Sequence, residues 1–354
     1  MMARLINGDR LLLIHPGALG DLIQAFPAFG SIRQTFGGAH ITLVVGDTFA
    51  SFARQTELFD SVISFDADIA YHGNALQRLS LLVKIAADLR RCAPSRVGVF
   101  KGAPIYALLA LASRASVRVG LARGFGKRLL TEAIAIDPNA HREDRYMAVA
   151  ERLGVDETIT ADVQWRLLTD AMDLGVGPWI GIAPGGARNV KEEMPVRRWS
   201  PDRYAGLAAK LLERMPQAKI VLLGSAGDRD EADTIKRALP AHSTVDLVGQ
   251  TTLSEARAVV AQMSIFIGHD SGLLHVAATT GTPIAAIFGP TDPRVACPRG
   301  RQIRTLWNPV LPAPCYDEVT GKLRDCSASC CIDRVTADDV FHVVVEQCSR
   351  FATV

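Results

Sequence analysis

Three polar segments of the sequence follow apolar, strand-like runs and carry residue types that can bind or activate a substrate. The first, His15–Asp21 (HPGALGD), begins where the run LLLIH ends. Gly17 and Gly20 permit a tight turn with close approach of the backbone to a ligand. Asp21 then lies near the start of a helical pattern, where a carboxylate either takes part in chemistry or only stabilises the positive end of the helix. The spacing alone favours the second role.

The second segment, Ala183–Asn189 (APGGARN), is rich in glycine and comes at the end of the apolar run PWIGIAP. Cations follow it closely in the sequence. A glycine-rich turn with nearby cations is typical of a diphosphate site, but a surface loop with solvated charges has the same composition, and the local sequence leaves both alternatives open. The diphosphate hypothesis assigns donor binding to Gly185, Gly186, Asn189, Lys191 and Arg197.

The third segment, Gly268–His275 (GHDSGLLH), is the most informative. We expect Asp270 and Ser271 to cap a helix that begins just after a strand. The backbone N–H groups and the positive end of the helix dipole would then face a crevice at the strand end, which suits a phosphate. His275 lies in the first turns of this helix, where a single histidine is more often a hydrogen-bonded core residue. The segment 289–293 (GPTDP) ends the next strand and is expected to line the same crevice.

Seven cysteines are present, and four of them lie within a short stretch of the chain. The odd number and the length of the chain argue against a secreted disulfide scaffold. The four neighbours fit no standard zinc spacing. Three alternatives stay open for them, namely a structural metal, one disulfide or reduced thiols packed in a loop. The four are Cys315, Cys326, Cys330 and Cys331.

Alternating strand-like runs and helical patterns are expected to position these segments. Apolar runs predict strands at 11–15, 41–45 and 96–100, and again at 178–184, 219–224, 264–268 and 283–289. Strands separated by helices imply parallel sheets with crossover helices. One predicted helix (LQRLSLLVKIAADLRR) has an apolar face made by Leu79, Leu82, Val83 and Ala86. Another has an apolar face made by Tyr204, Leu207, Ala208, Leu211 and Leu212.

The chain of 354 residues exceeds what one hydrophobic core usually supports, so we predict two α/β domains. The first covers residues 1–170 and the second residues 177–335, with a connection near Leu167–Gly177. A C-terminal helix over 336–354 could cross back to the first domain. Two such domains form a cleft between them, and α/β proteins bind ligands at the carboxyl ends of their strands.

The composition excludes several classes of protein. With 48% hydrophobic and 21% charged residues the chain is globular, and its formal net charge of +2 gives no general case for nucleic-acid binding. The N-terminal decapeptide has no apolar signal-peptide core, so we expect a cytoplasmic protein. The longest apolar stretch, Gly102–Ser113, is too short to span a bilayer. Any contact with the inner membrane is therefore expected to be peripheral.

Taken together, the motifs resemble glycosyltransferase family 9, the ADP-heptose:lipopolysaccharide heptosyltransferases. They are GALGD-x-x-x-x-x-PA, PGG-x-x-N followed by RRW, and HDSG-x-x-H-x-AA-x-x-GTP-x-x-x-x-FGPTDP, in the order of the family and over nearly the whole chain. The resemblance implies a GT-B fold with two Rossmann-like domains facing a cleft. It implies an ADP-linked nucleotide-diphosphate sugar on the C-terminal domain and an acceptor on the N-terminal one. It also implies inverting transfer without a metal or other cofactor.

The resemblance assigns roles to individual residues. Asp21 becomes the general base, because a carboxylate at the cleft could take a proton from the acceptor hydroxyl. The helix start and Arg197 or Lys191 would then stabilise the leaving diphosphate. Arg197 stands where the family usually has a lysine, and the loop before it (NVKEEMPV) is longer than usual. The residues placed at the donor site are Asp270, Ser271, Gly272 and His275, with Thr291 and Asp292 nearby.

A basic segment in the predicted acceptor domain has a matching interpretation. Between residues 114 and 128 there are five cations and no acid. An anionic lipid A–core acceptor, or the inner leaflet of the membrane, would suit this segment, and a solvated basic face is the alternative. The acceptor-side residues are thus expected to be Gly17, Gly20, Arg114, Arg118 and Arg123.

The function predicted from the sequence is the transfer of a sugar, a heptose from ADP-heptose, onto a lipopolysaccharide core or related anionic glycolipid. A nucleotide-sugar epimerase on the same fold is one alternative. A non-catalytic sugar-nucleotide-binding protein is another, although the presence of both Asp21 and the HDSG segment argues against it. A dehydrogenase is disfavoured because no dinucleotide fingerprint follows either first strand.

Overall fold

The structure is a computed structural model, and it describes residues 9–156, 172–188, 193–310, 313–324 and 331–349. The chain divides into two compact units, Met1–Leu167 and Leu168–Val354. Each unit contains a six-stranded sheet in which every pair of neighbouring strands is parallel. The predicted α/β class is confirmed.

The sheet of the first unit has the strand order β3-β2-β1-β4-β5-β6. Its strands are β1 Arg10–Ile14, β2 His40–Gly46, β3 Ser61–Phe65, β4 Arg96–Val99, β5 Val117–Leu121 and β6 Glu132–Ile134. Residues 11–14 of β1 are all buried, as expected of a central parallel strand that is covered on both faces. Because the chain proceeds in opposite directions from β1 and β4, a crevice opens at their carboxyl ends.

Helices cover both faces of this sheet. They are α1 Leu19–Gln24, α2 Phe26–Thr35, α3 Asp47–Arg54, α4 Ala67–His72, α5 Ala75–Cys92, α6 Pro104–Ala112 and α7 Arg142–Leu153. Helix α2 packs against α7, and α5 packs against α6. The helical pattern that starts near Asp21 forms two helices, because α1 ends before Ala25. Pro27 occupies the first turn of α2, where its missing N–H costs nothing.

The apolar face predicted for α5 is wrong at Leu79 and Val83, whereas Leu82 is partly buried and packs against the core. Leu79 and Val83 are exposed, and the residues that α5 buries are Ile85 and Leu89. Apolar residues occur all around this helix, so periodicity did not single out the face that packs. The sheet beneath α5 decides it, because Ile85 and Leu89 belong to the core formed with β1 and β4.

The second unit repeats the same topology. Its strands lie in the order β12-β11-β10-β7-β8-β9. Read from β9 to β12, and with β7 counted as the first strand of the unit, this is the order 3-2-1-4-5-6 of the first sheet. They are β7 Trp179–Ala183, β8 Lys219–Leu222, β9 Thr244–Asp246, β10 Ile265–His269, β11 Ile284–Phe288 and β12 Ile303–Trp307, with a small antiparallel pair β13 Tyr316–Asp317 and β14 Lys322–Leu323. Its crevice therefore opens at the carboxyl ends of β7 and β10.

The helices of the second unit are α8 Pro201–Arg214, α9 Arg229–Arg237, α10 Leu253–Val260, α11 Gly272–Ala278, α12 Pro293–Ala296 and α13 Ala337–Ser349. The predicted face of α8 is buried, except that Leu212 is only partly so. The described part of the C-terminal helix α13 packs on α8 and on strands β10, β11 and β12. Val340 and Val344 of α13 lie in the core of the second unit. The expected return of the segment 336–354 to the first unit stays a prediction.

Candidate functional site

Asp21 lies at the crevice of the first unit, where β1 and β4 end. Its carboxylate pairs with Lys101, which follows β4 by two residues, and accepts a hydrogen bond of 3.3 Å from Arg142 Nη1 at the start of α7. The Asp21 side chain keeps 18% of its surface exposed. The carboxylate is thus held by two cations from distant parts of the chain while remaining accessible to a ligand.

The charges around Asp21 fix its ionisation. Burial raises the pKa of Asp21, but Lys101 and Arg142 together lower it by more, so the pKa is held well below its usual range. Next to it, burial and the charge of Lys101 lower the pKa of His15 to about 3. His15 is fully buried and packs edge-on against Tyr146. At neutral pH the site therefore contains an ionised carboxylate beside a neutral imidazole.

The two glycines of the first motif have different roles. Gly17 has a φ of +111°, and a Cβ atom there would lie 2.7 Å from the ring of Phe49, so only glycine fits. Gly20 is instead the second residue of α1. The expectation that Gly20 forms part of the turn is wrong, because the helix has already begun at Leu19.

The structure separates the arginines that were predicted to lie on the acceptor side. Arg114 and Arg118 lie at the amino end of β5, the opposite edge of the sheet from Asp21. The Arg118 guanidinium donates hydrogen bonds to Leu129 O (3.0 Å) and Ala115 O (2.6 Å) and so holds the local backbone. Arg123 follows β5 at its carboxyl end, on the same edge as Asp21. Parallel strands explain the difference, because residues before and after one strand lie at opposite edges.

Lys101 and Arg142 were not identified as site residues from the sequence. Lys101 had a usable signal, because it directly follows a predicted strand whose carboxyl end lies beside that of β1. Arg142 had none, since it is 121 positions from Asp21 and comes from the last helix of the unit.

In the second unit, the glycine-rich loop after β7 is held by Asp228. The Asp228 carboxylate accepts hydrogen bonds from Gly186 N (2.9 Å) and Ser225 N (2.7 Å) and pairs with Arg188. A Cβ atom at Gly185 would lie 2.2 Å from Asp228. Gly186 has a φ of +101°, and its Cβ would lie 2.9 Å from Cβ of Ser271. Glycine is thus required for the loop to approach the start of α11.

Asp270, at the carboxyl end of β10, forms a buried ion pair with Arg197. Only 2% of the Asp270 side chain and 12% of the Arg197 side chain are exposed. The expected capping of α11 by Asp270 and Ser271 side chains is wrong in its chemistry. Ser271 occupies the N-cap position without a side-chain hydrogen bond to the helix, and Asp270 is committed to Arg197. The Arg197 guanidinium also lies 5.9 Å from the ring centre of Tyr316.

The remaining residues predicted for the donor site occupy different environments. Gly272 is the first residue of α11, and His275 is buried within that helix. Thr291 is buried after β11, and its hydroxyl has no hydrogen-bond partner among the described residues. Asp292 accepts a hydrogen bond of 2.8 Å from Arg294 N and so caps α12. Asp292 therefore has a structural role as the N-cap of α12.

A buried polar chain that the sequence did not reveal ends at the same crevice. Trp199 Nε1 donates a hydrogen bond of 2.8 Å to Val335 O, and the Trp199 ring packs edge-on against Tyr204. The Tyr204 hydroxyl shares a hydrogen bond of 3.2 Å with His269 Nδ1. Burial lowers the pKa of His269, which directly precedes Asp270, to about 4. The chain links the C-terminal segment to the end of β10.

Several predicted residues lie outside the described residues, namely Asn189, Lys191, Cys326 and Cys330. Of the crowded cysteines, Cys315 and Cys331 are described, and both are buried and not joined in a disulfide. Within the described ranges no cluster of histidine, cysteine and acidic side chains could hold a metal ion. No helix within the same ranges is both long and apolar enough to cross a bilayer.

Two Rossmann-like units, each with a parallel six-stranded sheet and charged residues at its own crevice, have the architecture of the GT-B class. The chain belongs to glycosyltransferase family 9 (heptosyltransferase), whose pattern matches residues 82–323. This finding confirms the resemblance seen in the sequence motifs and does not favour the epimerase and non-catalytic alternatives.

Named relatives and solved structures agree with this assignment. The lipooligosaccharide heptosyltransferase 2 of Haemophilus ducreyi is 36% identical over 317 residues, which cover 83% of this chain and 87% of the relative. The structure of a family 9 glycosyl transferase from Veillonella parvula is similar with a TM-score of 0.79, at 19% identity, covering 99% of this chain and 100% of that one. The structure of the Escherichia coli ADP-heptose lipopolysaccharide heptosyltransferase II gives a TM-score of 0.72, at 22% identity and coverages of 97% and 100%. At these identities the structural similarity shows the fold.

Proposed function

We propose that this glycosyltransferase moves a heptose from ADP-heptose onto the core of a lipopolysaccharide or a related anionic glycolipid. The relative from Haemophilus ducreyi carries the name of a lipooligosaccharide heptosyltransferase, and the solved Escherichia coli structure is described as an ADP-heptose enzyme. The observation that carries the proposal is the accessible, ionised carboxylate of Asp21 at the crevice of the first unit.

In the proposed reaction, Asp21 accepts the proton of an acceptor hydroxyl while that oxygen attacks the anomeric carbon of the donor sugar. The new C–O bond forms on the face opposite to the leaving group, and the bond to the nucleotide diphosphate breaks. The anomeric configuration is thereby inverted. An ionised carboxylate at neutral pH is in the protonation state that a general base requires.

The second unit would bind the nucleotide diphosphate. The glycine loop lies against the start of α11, the side chain of Ser271 is not used as a cap, and the Arg197 guanidinium lies beside Asp270. Backbone N–H groups at a helix start and a nearby guanidinium can stabilise the charge that develops on a leaving diphosphate. We therefore propose that transfer requires neither a divalent metal nor another cofactor.

Lys101 and Arg142 would tune the base. In the free protein they keep Asp21 ionised, but a carboxylate with so low a pKa is a weak base. An anionic acceptor offers both cations a second partner. Sharing them with the acceptor would raise the pKa of Asp21 when the proton has to be accepted. The proposal thus makes anionic charge on the acceptor a requirement for fast transfer. We also propose that the protein acts in the cytoplasm.

The test is a transfer assay in which the purified protein is incubated with a heptose-deficient lipopolysaccharide core and a panel of ADP-, UDP- and GDP-sugars. Mass spectrometry should detect an acceptor enlarged by one heptose, with ADP-heptose as the preferred donor and with EDTA without effect. An isomerised donor without acceptor modification would contradict transfer in favour of epimerisation. Activity that EDTA abolishes and magnesium restores would contradict the metal-independent mechanism but not the transfer of heptose.

A further inference from the structure

The small hairpin of β13 and β14 is tied to the edge of the sheet at which the crevice of the second unit opens. The backbone N–H groups of Cys315 and Tyr316 both donate hydrogen bonds to Pro290 O, at 2.9 and 3.1 Å. Pro290 follows β11 by two residues, and β11 lies next to β10 in the sheet. The start of the hairpin is therefore fixed beside the carboxyl ends of these two strands.

The hairpin also holds its own shape. The Asp317 carboxylate accepts hydrogen bonds of 2.9 Å from the backbone N–H groups of Val319 and Thr320. An aspartate that bonds the backbone two and three residues later fixes a turn in this way. The same carboxylate pairs with Arg324 on the second strand of the hairpin side. These bonds fix the backbone from which the Tyr316 ring projects.

The Tyr316 ring contacts Arg197. The guanidinium carbon of Arg197 lies 5.9 Å from the ring centre, which is within the range of a cation–π contact. The same guanidinium pairs with Asp270, and its Nη1 atom lies 3.9 Å from Met194 Sδ. The Arg197 side chain is thus held by side chains from the hairpin, from the end of β10 and from the loop before α8.

The hairpin adjoins two buried polar atoms that have no hydrogen-bond partner within the described part of the chain. They are Nε of Arg197 and the hydroxyl oxygen of Thr291. Buried polar groups are nearly always hydrogen-bonded in folded proteins, so unpaired ones at a crevice indicate that a ligand supplies the missing partners. The Tyr316 ring lies against Arg197, and the N–H groups at the hairpin start hold Pro290, the residue before Thr291.

We infer that Tyr316 is a positioning residue for the diphosphate of the donor. Its ring orients the guanidinium of Arg197, which donates hydrogen bonds to phosphate oxygens while it stays paired with Asp270. Fixing the guanidinium beforehand removes much of the entropy cost of ordering a long side chain when the ligand binds. The inference deepens the proposed function and rests on it in one respect, namely that the second unit binds a nucleoside diphosphate.

The experiment measures the affinity of the full chain for ADP and for adenosine by calorimetry. Tyr316→Leu removes the face of the ring, so we expect the Kd for ADP to rise by about three- to tenfold, as for the loss of one cation–π contact. The Kd for adenosine, which carries no phosphate, should stay nearly unchanged. Tyr316→Phe keeps the face of the ring and should bind ADP nearly as well as the unmodified protein does.

A double-mutant cycle separates positioning from packing. R197M/D270N removes the ion pair and leaves no guanidinium to orient, so adding Tyr316→Leu to it should not change the Kd for ADP further. The matched control is Lys219→Met, which removes a cation that lies 5.4 Å from the Trp179 ring at the opposite edge of the sheet. This control should bind ADP as the unmodified protein does, and thermal melting should show that every variant is folded.

Equal losses of ADP and adenosine affinity in Tyr316→Leu would assign the ring to packing of the crevice and overturn the inference. An unchanged ADP affinity in this variant, or an equal loss in the R197M/D270N background, would overturn it as well. In each of these cases the unmodified protein still binds ADP, so the proposed function stands. If the unmodified protein binds none of ADP, UDP and GDP, the donor of the proposed function falls together with the inference.

Discussion

Asp21 and Asp270 both lie at the crevice of their own sheet, Asp21 after the first strand of its unit and Asp270 after the fourth, and their environments differ. Each aspartate follows a central strand at the crevice of its own unit and pairs with a cation. The Asp21 side chain is 18% exposed and has two cationic partners, whereas the Asp270 side chain is 2% exposed and pairs with Arg197. An exposed carboxylate can exchange a proton with a ligand, but a buried one can only hold its partner.

This contrast shows that a place at the crevice does not by itself assign a role. The crevice brings charged residues together in both units, and burial then decides what they can do. In the proposed mechanism the carboxylate of the first unit is the reactive group and the cations tune it. In the second unit the same proposal makes the carboxylate the support and the guanidinium of Arg197 the group that contacts the ligand. Substitutions at the two aspartates and their cations test the contrast directly.

The largest effect is expected from Asp21→Asn. Asparagine keeps the shape of the side chain but cannot accept the proton, so kcat should fall by about two to four orders of magnitude. Donor affinity, measured by calorimetry with ADP, should hardly change, because the proposed donor contacts lie in the second unit. Asp66→Asn is the matched control, since Asp66 caps α4 through Ile69 N and asparagine caps equally well. Near-normal turnover by Asp21→Asn would end the catalytic assignment and leave the family assignment intact.

The next effect is expected from Arg197→Met, which leaves Asp270 buried without its ion-pair partner. Removing one partner of a buried pair typically costs about 3–5 kcal/mol, so the free energy of unfolding measured with urea should fall by this amount. ADP affinity should fall as well. The double variant R197M/D270N should regain part of the lost stability, because it no longer buries an unpaired charge. Equal stability of Arg197→Met and the unmodified protein would show that the pair is not buried as described.

Lys101→Met should have a smaller effect on stability, about 1 kcal/mol or less, because Asp21 is partly exposed and keeps Arg142. Its main effect should appear in the pH profile. The pKa of Asp21 is lowered in the folded protein, so the carboxylate stabilises the fold above its ordinary pKa and loses this effect as the pH falls. Without Lys101 the folded-state pKa rises.

The acid limb of the kcat/KM profile should therefore move to higher pH in Lys101→Met, and acid unfolding should begin at higher pH. Lys210→Met serves as the control, since Lys210 forms an exposed ion pair with Asp338 in the second unit. An acid limb that coincides in Lys101→Met and the unmodified protein would contradict the tuning of Asp21 by this lysine.

The smallest effect is expected from Asp292→Asn. Asp292 caps α12, and its other partner, the Arg294 side chain, is largely exposed. Asparagine retains the cap, so the melting temperature should be nearly unchanged, corresponding to about 0.5 kcal/mol or less. ADP affinity should also be unchanged. A loss of ADP affinity at constant stability would instead support the direct donor contact that the sequence motif predicted for Asp292.

The sequence predicted the central strands well, because a strand that is buried on both faces must be a continuous apolar run. The four edge strands were not predicted, and neither was β5, since these strands are only partly buried and lack such a run. The edge strands are β3, β6, β9 and β12. The buried face of α8 was predicted because its apolar residues form one stripe. The face of α5 was not, because apolar residues surround that helix and only the sheet selects Ile85 and Leu89.

For the site, the glycines and the ends of the apolar runs predicted where the motifs lie. They did not predict which distant residues contact those motifs. Asp21, Gly186 and Asp270 could be named because short spacings around strand ends carry a local meaning. Arg142 and Asp228 could not, since they reach the motifs only after the sheets form, from 121 and 42 positions away. The grouping of Arg114 and Arg118 with Arg123 went wrong for a different reason. Sequence proximity grouped them with Arg123, and the intervening strand carries them to the other edge of the sheet.

The buried chain from Trp199 through Tyr204 to His269 gives the second unit an intrinsic fluorescence probe, the indole of Trp199. The indole of Trp199 is fully buried, contacts the C-terminal segment through Val335 and lies two residues from Arg197. Its fluorescence depends on the polarity and the quenching groups around the ring. A ligand that moves Arg197 or the end of β10 would therefore change the emission of Trp199, and nucleotide titrations can be followed without a label. Trp307, whose Nε1 donates a hydrogen bond of 3.0 Å to Gly289 O, supplies a second such signal at the end of β11.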